Sequence, residues 1–78
     1  MGVENLINDL GEKVKIMRDS ALKETKAMFY DEKIMFNILE DVREGDIVVK
    51  ISSGGEYLLT DVVKKLNSHI ECKYKKVK

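Results

Sequence analysis

The stretch Arg43-Glu44-Gly45-Asp46-Ile47-Val48-Val49-Lys50-Ile51-Ser52-Ser53-Gly54-Gly55-Glu56-Tyr57-Leu58-Leu59-Thr60-Asp61-Val62-Val63 decides the fold class. Glu44-Gly45-Asp46 supplies turn residues, glycine for a positive φ and aspartate for local backbone hydrogen bonds. Ile47, Val49 and Ile51 then alternate with Val48, Lys50 and Ser52, and β-branched residues suit a pleated, half-buried surface. Ser52-Ser53-Gly54-Gly55 breaks the apolar pattern, and Tyr57 and Leu59 resume it. Two such runs joined by a short glycine-containing loop predict a β-hairpin.

The same period of two extends outward from this hairpin. Val14 and Ile16 alternate with Lys13, Lys15 and Met17, followed by a break at Arg18-Asp19-Ser20. Thr25, Ala27 and Phe29 alternate with Lys26, Met28 and Tyr30, and Tyr30-Asp31-Glu32-Lys33 offers a turn. Residues 34–39 fit a strand through Ile34, Phe36 and Ile38, and also fit a short helix through Met35 and Leu39. Residues 61–67 read either as a strand extension or as one helical turn. The last run sets Ile70, Cys72 and Tyr74 against His69, Glu71, Lys73 and Lys75, the pattern of an edge strand whose charged outer face resists edge-to-edge pairing.

The N-terminus differs. Val3, Leu6, Ile7 and Leu10 occupy the i, i+3, i+4, i+7 stripe of a helix that Gly11 can close. A helix this short is marginal alone in water, so Val3, Leu6, Ile7 and Leu10 form a candidate protein interface. The expected architecture is therefore mainly β: a single domain over 1–78, with an amphipathic helix at 1–11 and a small β-barrel or meander of five to six short antiparallel strands over 13–77. The expected inward set is Val14, Ile16, Ala27, Phe29, Phe36, Ile38, Ile47, Val49, Ile51, Tyr57, Leu59, Ile70, Cys72 and Tyr74.

Composition narrows the function classes. The chain has 78 residues, 44% apolar and 36% charged, too apolar for a disordered tail and too charged for a membrane protein. No apolar run approaches the roughly 20 residues needed to span a bilayer. Met1 to Asn5 carries neither a basic segment nor a long apolar one, so no secretory signal is expected. A cytoplasmic location is the default expectation. Cys72 is the single cysteine and has no disulfide partner or zinc-ligand set.

Formal net charge is zero, yet it is unevenly placed. From position 62 onward Lys64, Lys65, Lys73, Lys75, Lys76 and Lys78 stand against Glu71 alone, and positions 1–61 carry the balancing negative charge. These six lysines are the candidate nucleic-acid contacts, since small barrels bind single strands with basic grooves and aromatic platforms. A charged, solvated strand is the plainer reading.

Other constellations are thinner. His69 and Cys72 have a spacing of three, which in a strand sends their side chains to opposite faces and separates nucleophile from base. Glu40-Asp41 and Glu44-Asp46 could gather a divalent cation, but the calcium-loop spacing is absent. Ser52-Ser53-Gly54-Gly55 is followed by Glu56, not by the lysine a phosphate-binding loop needs. No catalytic residues, cofactor, metal or small-molecule substrate are expected, and the chain is read as a non-enzyme.

Glu44-Gly45-Asp46-Ile47, then Gly55-Glu56-Tyr57 with Thr60-Asp61-Val62, then His69-Ile70-Glu71-Cys72-Lys73-Tyr74-Lys75-Lys76, resembles small β-barrel proteins encoded in phages and prophages of Gram-positive bacteria. Several members of that group sit at the joint between phage head and tail. The resemblance spans about residues 44–76. Members are commonly longer, and this chain is short between the return strand and the last strand. The resemblance implies a non-enzymatic structural protein that works through protein contacts or self-association; the small nucleic-acid-binding barrel is the alternative.

Overall fold

The computed structural model describes Ile7 and residues 9–78. Six strands account for most of them: β1 (Glu12–Arg18), β2 (Ala21–Tyr30), β3 (Lys33–Asn37), β4 (Ile47–Lys50), β5 (Glu56–Lys65) and β6 (His69–Lys76). They close into one barrel in the order β1-β2-β3-β6-β5-β4, every neighbouring pair antiparallel. The mainly β barrel expected from the period-two patterning is what the chain forms.

Two hairpin-linked triplets build the ring. β1-β2-β3 turn through Asp19-Ser20 and Asp31-Glu32. Both Asp31 and Glu32 have positive φ, 53° and 60°, the backbone of a two-residue turn whose twist matches that of the flanking strands. β4-β5-β6 turn through the Ser-Gly segment, where Gly54 has φ 75°, and through Leu66-Asn67-Ser68. The residues 38–46 carry the chain across one barrel mouth, so the closing seams are β3 with β6 and β1 with β4. The charged last strand is thus paired on both sides and is not the edge strand that its pattern suggested, because closure removes edges altogether. The two ambiguous segments also resolve: residues 34–37 are strand, and β5 runs to Lys65 with a bulge between Leu59 and Asp61.

The interior holds Val14, Ile16, Ala27, Ile34, Phe36, Val48, Leu59, Ile70 and Cys72, all essentially inaccessible, with Phe29, Ile38, Tyr57, Val62 and Tyr74 partly buried around them. One strand reverses its expected face. Ile47, Val49 and Ile51 were the expected inward set of β4, yet Val48 points inward, Ile47 and Val49 are only half-buried, and Ile51 lies exposed in the turn. Ile-Val-Val is apolar on both faces, so its own pattern cannot choose. Register chooses instead: Val48 stands opposite Ile16 on β1 and Tyr57 on β5, and directly opposed residues share a face.

Each mouth is closed differently. At the first, Val42 from the 38–46 crossing drops onto the core. Behind it, Arg18 Nε donates to Asp46 Oδ1 at 2.9 Å and Arg18 Nη2 to Asp46 Oδ2 at 2.8 Å, a bidentate pair. Arg43 N–H also donates to Asp46 Oδ2 at 2.9 Å. Asp46 is 2% exposed, and the Arg18 guanidinium holds its carboxyl below the ordinary carboxylate range against the opposing effect of burial. Arg18 reaches Asp41 as well, at 3.1 Å, and Lys23 pairs with Glu40 at 3.0 Å. The acidic segment read as a possible cation site therefore supplies counter-ions to the barrel's own Arg18 and Lys23. At the second mouth, Phe29, Tyr57 and Tyr74 form a tilted and edge-on cluster with centroids 5.1 to 6.4 Å apart.

The expected helix at 1–11 falls mostly outside the described residues, as do Val3 and Leu6. Within them, Gly11 N–H donates to the Ile7 carbonyl, one helical turn, and a Cβ at Gly11 would collide with that carbonyl. Ile7 is fully buried, while Leu10 is 71% exposed.

Two measurements check this account. Val48→Thr buries a hydroxyl among apolar side chains and is expected to cost about 1–3 kcal/mol in urea unfolding, whereas Val49→Thr, on the outer wall, stays within about 0.5 kcal/mol. Because the Asp46 carboxyl titrates lower folded than unfolded, its contribution is complete above the ordinary carboxylate value of about 4 and is lost as pH falls through the folded value. The urea midpoint should accordingly hold from neutral pH to about pH 4 and drop below it. Asp46→Asn should lower the midpoint at pH 7 and flatten the acid limb, leaving the part that Asp41, Glu40 and Glu71 contribute in the same sense.

Candidate functional site on the outer wall

β2, β3 and β6 present their outward residues side by side. Met28 stands opposite Met35, and Met35 opposite Glu71. Tyr30 faces Lys33, and Asn37 faces His69. These rows form the floor of a groove of about 580 Å³ lined by Leu10, Met28, Tyr30, Asp31, Lys33, Met35, His69 and Glu71. Methionine suits such a floor because its unbranched, polarizable side chain adapts to what lies on it. Tyr30 is 68% exposed at the rim, and Leu10 of the expected interface stands at the same groove.

One end of the groove is polar and rigid. Ser68 Oγ is hydrogen-bonded to His69 Nδ1 at 2.6 Å, His69 Nε2 to Glu71 Oε2 at 2.9 Å, and Lys33 Nζ donates to Glu71 Oε1 at 3.3 Å. The hydrogen bond from His69 and the charge of Lys33 hold the Glu71 carboxyl below its ordinary value. Sequence reasoning paired His69 with Cys72 and overlooked Ser68. The signal was present: Ser68 closes the β5–β6 turn immediately before His69, and Glu71 is two residues on, on the same face of the strand. With both ring nitrogens engaged and Glu71 bound again by Lys33, the relay fixes the imidazole as one wall of the groove.

Cys72 sits on the other side of the sheet. It is fully buried opposite Ile34 and Val62, and burial pushes its thiol up to about 12. The strand alternation therefore parts His69 from Cys72 as the spacing predicted, and a thiol so protonated is a poor nucleophile.

The six basic candidates do not converge. Lys64 and Lys65 lie opposite Ile70 and His69, whereas Lys76 lies opposite Tyr57 near the far end of β6, a strand distance of roughly 20 Å at about 3.3 Å per residue. Lys73 stands between Asp61 and Lys33 on the outer wall, and Lys75 opposite Leu58. Lys78 Nζ approaches Glu56 at 4.0 Å. At the aromatic mouth Lys76, one of the six, is joined by Lys50, which the sequence did not single out. Lys50 Nζ lies 4.7 Å from the Phe29 centroid and 3.8 Å from Glu12, and Lys76 Nζ lies 6.0 Å from the Tyr57 centroid. The signal for Lys50 was hidden by the face reversal of β4.

Among the described residues, no cluster of three or more histidine, cysteine, aspartate or glutamate side chains is arranged to hold a metal ion, and no helix is long and apolar enough to cross a membrane. Compared with protein-family models, with curated proteins and with solved structures, the chain gives no match.

Proposed function

We propose that this chain is a non-catalytic structural protein of phage or prophage type that acts through protein–protein contacts, in the manner of head–tail joining proteins. The observation that carries the protein-contact part is the outer-wall groove, whose methionine floor, exposed tyrosine rim and rigid polar end have the composition of a recognition surface: apolar at the centre, polar at the edge, enriched in methionine and aromatic residues. The phage part rests on the motifs at residues 44–76. In an induced lysate of the strain that encodes the chain, an antibody against it should follow the virion or tail fraction through a density gradient, and Met28→Asp should release it to the top. Wild-type protein found only at the top would overturn the phage reading.

Binding of single-stranded nucleic acid is the second reading, and the aromatic mouth favours it. Half-buried Phe29, Tyr57 and Tyr74 beside Lys50 and Lys76 combine stacking surface with positive charge. On this reading Lys76 on β6 and Lys78 just beyond it contribute at the mouth, Lys73 and Lys75 flank it from the outer wall, and Lys64 and Lys65 lie too far for the same strand segment. Fluorescence titration with a labelled oligonucleotide at low salt should then give an affinity that falls steeply as salt rises; no binding at low salt removes this reading.

A further inference from the structure

The methionine groove carries an excess of acid that the sheet around it does not cancel. Three charged side chains line it, Asp31, Lys33 and Glu71. Lys33 and Glu71 neutralise each other through their 3.3 Å ion pair, and Glu71 is engaged a second time by His69. Asp31 is left over. Its carboxylate is exposed, as is that of Glu32, which follows it in the same turn, and among the described residues neither has an ion-pair partner. The cations nearest in register are placed elsewhere. Lys73 faces Lys33 across one seam of β6 and Asp61 across the other, and Lys75, two residues on, faces Leu58 and does not line the groove. The rim where β2 turns into β3 is therefore negative, beside a floor made of Met28 and Met35 and next to a tyrosine that is 68% exposed.

We propose that the groove receives a basic side chain, arginine or lysine, from an otherwise apolar segment of a partner protein, with its methylene stem on Met28 and Met35 and its charged head at Asp31 beside the Tyr30 ring. Arginine and lysine combine a long apolar stem with a cationic head, and they bury the first while keeping the second at a polar edge. That is the order in which the groove presents its floor and its rim. A purely apolar residue would take water from Asp31 and give it no partner. An acidic one would meet Asp31 and Glu32 with like charge. The exposed face of Tyr30 adds attraction for a cation lying over it. Lys33 is the one groove residue that opposes a basic guest, and Glu71 already holds its charge. The inference rests on the protein-contact reading above and states what the partner must present; it does not depend on the phage reading.

A capped pentapeptide with arginine between two leucines and alanine at each end, titrated into protein labelled at its methionine methyls and followed by NMR, tests it. Peptides with glutamine or glutamate in place of the arginine are the controls. The arginine peptide should move the Met28 and Met35 signals and bind several-fold tighter than the glutamine peptide, with the glutamate peptide weakest, and added salt should narrow the difference. Asp31→Asn should bring the arginine peptide to the level of the glutamine peptide. Asparagine accepts the positive φ of 53° at this position, so the turn is kept, and unchanged signals elsewhere in the spectrum confirm it. Equal binding of the three peptides, a preference for glutamate, or a preference that Asp31→Asn leaves intact would each overturn the proposal. So would butylguanidinium binding as tightly as the peptide, which gives the groove to a free cation, or methyl signals that move with protein concentration alone, which gives it to a second copy. Equal binding would leave the protein-contact reading standing; no shift with any peptide would overturn both.

Discussion

The pair between Arg18 and Asp46 ties together the parts of this barrel that are distant in sequence. Arg18 ends β1, and Asp46 ends the crossing that delivers β4 to β1's free side. The Asp46 carboxylate takes both guanidinium donors and the Arg43 N–H, while its backbone accepts from Leu59 N–H on β5. A carboxylate this deeply buried is tolerable only because its lone pairs are occupied by a charged, forked donor. Through it the chain's first strand, its long connection and its fifth strand meet at one point, and Val42 is held over the core. Without that anchor the β1–β4 seam would have to be secured by four residue pairs alone.

Closure has consequences for every exposed face. A ring of six strands has no free backbone edge, so what the barrel presents to its surroundings is side chains on the walls and at the mouths. The walls divide by composition. The methionine groove over β2, β3 and β6, with its Ser68-His69-Glu71-Lys33 end, is concave and bounded by fixed polar groups. Over the β1–β4 seam, Met17, Ile47 and Val49 are half-buried apolar residues beside exposed Lys15. At the far mouth the aromatic cluster is overlaid by Lys50 and Lys76, leaving that end mixed in character. One closed sheet carries walls of different composition because alternate residues on every strand are free of the core.

Much of the fold was legible in particular residues. Val14 and Ile16 pointed inward as their alternation required, as did Ala27, Phe36, Leu59, Ile70 and Cys72. The turns at Asp19-Ser20, Asp31-Glu32 and the Ser-Gly segment stand where short polar residues and glycine placed them. The separation of His69 from Cys72 followed from a spacing of three. Less of the site could be read: the groove joins Met28, Met35 and Glu71 from three strands, and nothing local relates residue 35 to residue 71.

What the sequence by itself determined is the period of two, the placement of the breaks, and hence a small closed or nearly closed sheet, because these depend on nearest neighbours along the chain. Only the tertiary structure decided the face of β4, the pairing of β6 on both sides, and the destination of the acidic segment. In Ile47-Val48-Val49 both faces are equally apolar, so local pattern is silent and the choice passes to Ile16 and Tyr57 across the seams. Arg18 and Asp46 are 28 residues apart and each is unremarkable alone; their pairing exists because ring closure brings the end of one strand to the start of another.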